Sequence, residues 1–317
     1  MLTDRNRILL AFALNIAAGL STCIGGLVIL NRKLVSITNP SRLGIALGVS
    51  AGVMIFISLA EIFEESIEHF RQVFHDNSTN ECDEKCRGHS KTLATICFMF
   101  GALIIFVIDF IIHRIAPEVE HELTDLQQAT DQFELENALG QTTSKTNIPQ
   151  INRQLLEDKQ TRRSLNRTGI LTALAIAIHN LPEGIATYIG ALKNTRLGVM
   201  LAVSIALHNI PEGIAVAAPV YFATKSKLKA FLWTFVSALA EPLGGIICWA
   251  IVRDGLNPTL NGIMFGLVVG MMVTISFKEL IPTAYRFCPY KNRVTYSVLT
   301  GMCLMALSLI LFDYAGV

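Results

Sequence analysis

The sequence predicts an all-α polytopic membrane protein with eight transmembrane helices, inverted repeats, and a polar site in central helices 4, 5 and 6. Composition is the first observation. Of 317 residues, 52% are hydrophobic and only 16% are charged, against about 25% charged in a soluble domain, and the mean hydropathy is +0.48. The second is the length of the apolar runs. They are continuous and near 20 residues, which fits helices rather than barrel strands. The third is a pair of duplicated polar motifs inside two of those runs. A disordered chain, a coiled coil and an ordinary cytosolic enzyme are excluded. The net charge of +1 leaves no basic excess for phosphate, so no nucleic-acid partner is expected.

The eight spans are expected at 8–30, 41–63, 91–113, 168–190, 197–219, 228–252, 260–282 and 293–314. The first follows Arg5 and Arg7 as a signal peptide would. Its apolar stretch exceeds the ~7–15 residues of a signal core, and it is read as a retained helix. Orientation follows from Lys and Arg in the connections. With both termini outside, sixteen basic residues fall in cytosolic segments and nine on the opposite side. The chain then forms a single membrane domain over 1–317. Residues 64–90 are an extracytosolic loop, and residues 114–167 are a flexible cytosolic loop rich in Gln, Asn, Thr and acids.

The 64–90 loop carries the sequon Asn77-Ser78-Thr79 and the pair Cys82 and Cys86. Three readings stand side by side. The cysteines form a disulfide, they capture metal with His69, His75 and His89, or the segment is a solvated acidic loop. Cys23, Cys97, Cys248, Cys288 and Cys303 have no metal-ligand spacing and read as small apolar residues.

Two repeats are visible. HNLPEGIA at 179–186 and HNIPEGIA at 208–215 agree at seven of eight positions. Each histidine lies 11 residues into its expected span, so at ~1.5 Å per residue both fall near mid-membrane. Residues 51–62 (AGVMIFISLAEI) and 269–280 (VGMMVTISFKEL) share Gly, Met, Ile, Ser and Glu at the same five offsets. Inverted repeats about a midplane site mark transporters.

Positions i and i+4 share a helix face. His179 therefore projects with Glu183, and His208 with Glu212, flanked by Asn180 and Asn209. Imidazole and carboxylate suit zinc and similar divalent ions. An ionised residue at the bilayer centre costs about 2.5–3.5 kcal/mol on insertion scales, so two buried glutamates call for pairing or a cation. Pro182 and Pro211 are expected to open their helices. Glu241-Pro242 adds a third mid-span carboxylate as a further ligand or proton acceptor. Glu61 and Glu279 lie near opposite ends of their spans and read as path mouths or interfacial charges, with Lys278 neutralising Glu279. Asp109 reads as structural or interfacial.

HNLPEGIAT, HNIPEGIAVA and AEPLGG together resemble the signatures of the ZIP (Zrt/Irt-like) family of divalent metal transporters, in its bacterial-like branch. The resemblance covers most of the chain apart from the two long loops. It implies a binuclear site, with His179, Glu183, His208 and Glu212 forming one centre. Asn180, Asn209 and Glu241 would form the second, with Glu183 and Glu212 bridging. Some members carry an acid where this chain has Asn209. Many carry a His-rich cytosolic loop, whereas 114–167 holds only His121. The implied activity is transport of zinc into the cytosol, with iron, manganese or cadmium as further candidates. No prosthetic group and no enzymatic activity are expected. Metal ions and the lipid bilayer are the expected partners, and a homodimer is an open alternative. Plasma membrane and organelle membrane fit equally. The rivals are a membrane-embedded zinc hydrolase, for which H-E-x-x-H is missing, and a metal receptor that does not transport.

Overall fold

A computed structural model describes residues 4–28, 40–74, 84–115, 177–224, 226–252, 257–288 and 290–315. The described segments are helical throughout. Helix α1 is Asp4–Leu27, α2 Pro40–Ile57, α3 Phe63–Phe74 and α4 Glu84–Ile115. Helix α5 covers 177–193 and α6 is Thr195–Thr224. The sixth span is α7 (Lys227–Ala238) followed by α8 (Ala240–Val252). The rest are α9 (Pro258–Ile275), α10 (Ile281–Phe287) and α11 (Lys291–Ala315). Local chemistry sets several starts. Ser226 caps α7 by accepting from Lys229 N–H, and Asn257 caps α9 from Thr259 N–H ahead of Pro258 at the first turn.

Seven helical rods among the described residues are long and apolar enough to cross a membrane. The eighth expected span is present as α5, with its first residues outside the described set. Leu103, Phe106, Phe110, Leu304, Leu307 and Leu311 are exposed, as expected of faces that contact lipid rather than water.

Two helices run past their expected ends. Residues 64–74 and 84–90, read as loop, are helical. In α3 the pattern is amphipathic: Ile67 and Phe70 are buried while Glu64 and Glu68 are not. A hydropathy window misses a helix whose polar face offsets its apolar one. Asn77, His75, Cys82 and the 116–167 part of the long loop lie outside the described residues.

The prolines also act differently from expectation. Helices α5 and α6 continue through Pro182 and Pro211. The break falls instead at Leu239, between α7 and α8. Pro242 has no N–H to give the Ala238 carbonyl, so the helix loses a rung at that point.

The helices form a two-fold inverted arrangement, read from reciprocal contacts. Ser58 Oγ donates to Met272 Sδ at 3.7 Å, and Ser276 Oγ to Met54 Sδ at 3.8 Å. This confirms the pairing of the second and seventh spans. Each of these spans also holds a single π-helical stretch at matching positions, Ser58–Ile62 and Ser276–Leu280. Gly52 packs on the Val298 carbonyl as Gly270 packs on that of Phe98, which relates the third span to the eighth. Gly213 meets the Thr22 carbonyl as Gly184 meets that of Glu241, relating the first to the sixth. Helices α5 and α6 are exchanged with each other. They form a tight hairpin in which Gly190 lies on Leu201 and Gly198 on Ala191. Because these two are antiparallel, the axis crosses the bundle and the repeat is inverted.

At Gly184 and Gly213 a Cβ would fall inside the radius of a facing carbonyl oxygen. Gly184→Ala and Gly213→Ala should each destabilise the fold by about 1–3 kcal/mol through overpacking. Gly88, with nothing within 4 Å, should accept Ala without loss. Thermal unfolding in detergent, followed by size-exclusion fluorescence, reads the difference.

Candidate metal centre

The hairpin geometry brings the duplicated motifs face to face. His208 Nε2 lies 2.9 Å from Glu183 Oε1. His179 Nε2 lies 3.3 Å from Glu183 Oε1 and 3.1 Å from Glu212 Oε1. The i, i+4 spacing puts His179 with Glu183, and the tight hairpin brings His208 to Glu183 and Glu212 to His179. Helix α8 supplies Glu241. Its Oε2 accepts from Asn209 Nδ2 at 2.9 Å.

The asparagines hold their neighbours in mirrored fashion. Asn180 Nδ2 donates to the Ser237 carbonyl, and Asn209 Nδ2 to that of Ala18, each at 3.3 Å. With both amide nitrogens turned to backbone, the Oδ1 atoms are left without a hydrogen bond. Glu183 Oε2, Glu212 Oε2, Glu241 Oε1 and His208 Nδ1 are likewise without a hydrogen bond. All seven residues are at most 2% exposed. A buried polar atom without a partner costs about 1–3 kcal/mol. Several such acceptors at the junction of three helices make a site suited to cations.

Every one of the seven sequence-predicted residues is thus at the junction. Other residues belong to it that the sequence reading passed over. Asn15 is fully buried in α1 and donates to the Gly184 carbonyl at 2.6 Å, one residue from Glu183. Its signal was a lone Asn inside an apolar run. Thr187 is buried with a free Oγ1, two turns along the His179–Glu183 face. That i, i+4, i+8 series was readable.

A cavity of ≈ 10 Å³, about the room of one water, reaches His179 from the side of Asp109 and Glu279, walled by Ile105, Ile108, Ile178 and Ile275. Asp109 and His179 thus line the same small cavity. Lys278 forms its ion pair with Asp109, not with the adjacent Glu279. Neighbours in sequence point to different faces of a helix, and α4 brings Asp109 into reach. Glu61 and Glu279 both sit in the π-helical stretches.

Comparison with known proteins agrees with this picture. The pattern of a family described as "ZIP Zinc transporter" matches residues 6–309. The chain is 38% identical to the zinc transporter ZupT of Clostridium perfringens over 314 residues, 98% of each chain. It is 39% identical to ZupT of Streptococcus mutans over 302 residues, covering 95% of this chain and 97% of that one. With ZupT of Chlorobium phaeovibrioides the identity is 40% over 303 residues, with the same two coverages. The inverted eight-span pattern, the facing His–Glu motifs and this full-length match have one conclusion: the chain belongs to the ZIP zinc transporter family.

Proposed function

We propose that the protein carries divalent cations, chiefly zinc, across a membrane and into the cytosol through the centre built on α5, α6 and α8. One observation carries the reading. Unpartnered carboxylate, amide and imidazole atoms of fully buried residues converge where helices related by an inverted repeat meet. One cation would be held by His179, Glu183, His208 and Glu212. A second would be held by Asn180, Asn209 and Glu241, with Glu183 and Glu212 shared. Asn209 is a neutral ligand that does two things at once. Its Nδ2 holds Glu241, which leaves Oδ1 for the ion. Iron, manganese and cadmium fit the same atoms as further substrates.

Alternating access about a fixed site accounts for transport. With both termini outside, the cavity by Asp109 and Glu279 lies on the cytosolic side of the centre. The opposite end is closed by packing of Ile189, Leu201 and Ile205, each at most 1% exposed. The protein's role is to replace the ion's hydration shell with fixed oxygen and nitrogen atoms, then release the ion into water.

Three outcomes test the reading. Purified protein in proteoliposomes should take up labelled zinc, and the double variant His179→Ala/Glu183→Ala should not. Binding without uptake in the wild type would favour a receptor instead. Glu212→Ala alone should abolish uptake at equal protein incorporation, because it removes a shared ligand, whereas Asn209→Asp should keep uptake and alter metal preference. An epitope at the N-terminus should be reached by an impermeant antibody from outside the cell or the lumen, and cytosolic exposure would reverse the orientation.

A further inference from the structure

Away from the centre, a buried imidazole stands without a hydrogen bond. His69 on α3 is 5% exposed, and neither ring nitrogen has a hydrogen bond. Its ring lies flat on Phe265 of α9, with centroids 5.7 Å apart and planes at 17°. Stacking engages the ring face, and both ring nitrogens are closed off from solvent yet make no hydrogen bond. One turn earlier on the same face stands Glu65, the i, i+4 spacing of the central motifs in reverse order. Glu65 is paired with Lys193, the last residue of α5 before the hairpin turn. Lys193 is also close enough to act electrostatically on His69. Ser66 donates to the Gly262 carbonyl at 2.7 Å, which fixes the turn between Glu65 and His69 against α9. The nearby Glu68 is engaged with Arg71.

We propose that Glu65 and His69 form a separate, weak divalent-metal loading site at the mouth opposite the cavity, with the Lys193 ammonium as its resident cation. The assignment rests on the transport reading and orientation above. A carboxylate and a neutral imidazole on one helical turn give a two-point chelate for a zinc-like ion. Two protein ligands leave the remaining positions to water, so the ion is held briefly and passed on. An arriving divalent cation competes with Lys193 for Glu65. Its binding frees the lysine, and with it the tie between α3 and the α5–α6 hairpin that carries His179 and His208. Arrival of the ion thereby loosens the closed end of the path.

Opposite effects of two substitutions separate this from a plain structural latch. Glu65→Gln removes a ligand, and Lys193→Gln removes the competitor, yet both break the same ion pair. In zinc uptake by proteoliposomes, Glu65→Gln should raise the half-saturating zinc concentration roughly fivefold, and Lys193→Gln should lower it by about threefold, with smaller changes in maximal rate. A shift in the same direction for both would make the pair a latch and overturn the metal site. Direct binding decides independently of transport. Full-length Glu183→Ala/Glu212→Ala protein, dialysed against zinc, should retain one weakly bound ion that Glu65→Gln or His69→Phe abolishes. Retention in the folded Glu65→Gln variant would overturn the assignment. Loss of uptake in the wild type would reject the transport reading alone, since the dialysis result stands by itself.

Discussion

The close approach of α5 and α6 to each other and to α1 and α8 is the constraint on which the structure turns. A lipid-surrounded bundle has no water to satisfy buried carboxylates, amides and imidazoles. Seven such side chains must therefore meet in one place, within reach of one another. Only small residues let the backbones come near enough. Gly184 lies on the Glu241 carbonyl and Gly213 on that of Thr22. Larger residues there would part the helices and strand each polar group alone in an apolar surround.

The inverted repeat makes this constraint symmetric, and the chemistry then departs from symmetry at one point. Asn180 and Asn209 grip Ser237 and Ala18 in mirrored fashion. Glu241 has Thr22 as its mirror position. A carboxylate therefore joins the centre from α8 with no counterpart from α1, where Asn15 instead ties the Gly184 carbonyl. Glu241 therefore makes the two halves of the junction unequal, with its Oε2 accepting from Asn209 and not from Asn180.

Charge at the two ends follows a related logic. One end pairs Asp109 with Lys278, and the other pairs Glu65 with Lys193. In each case residues far apart in sequence bring an acid and a lysine together. Partly exposed pairs of this kind add little to stability.

The chain's composition and apolar periodicity determined the fold class, because a 20-residue apolar run has few structural options in water or lipid. All seven residues of the central junction were legible too, six from helical spacing and duplication and Glu241 as a third mid-span carboxylate beside a proline. A lone residue such as Asn15 was not, because a single polar side chain in a span has no pattern to set it apart. The pairing of the first span with the sixth was also hidden, as backbone carbonyls meeting glycines carry no residue identity. The partners of Lys278, Lys193 and His69 were decided only by tertiary structure. So was the break at Leu239 rather than at Pro182 or Pro211. Which face meets which neighbour, and whether a missing hydrogen bond is absorbed or opens a helix, depends on packing between segments that the linear order leaves far apart.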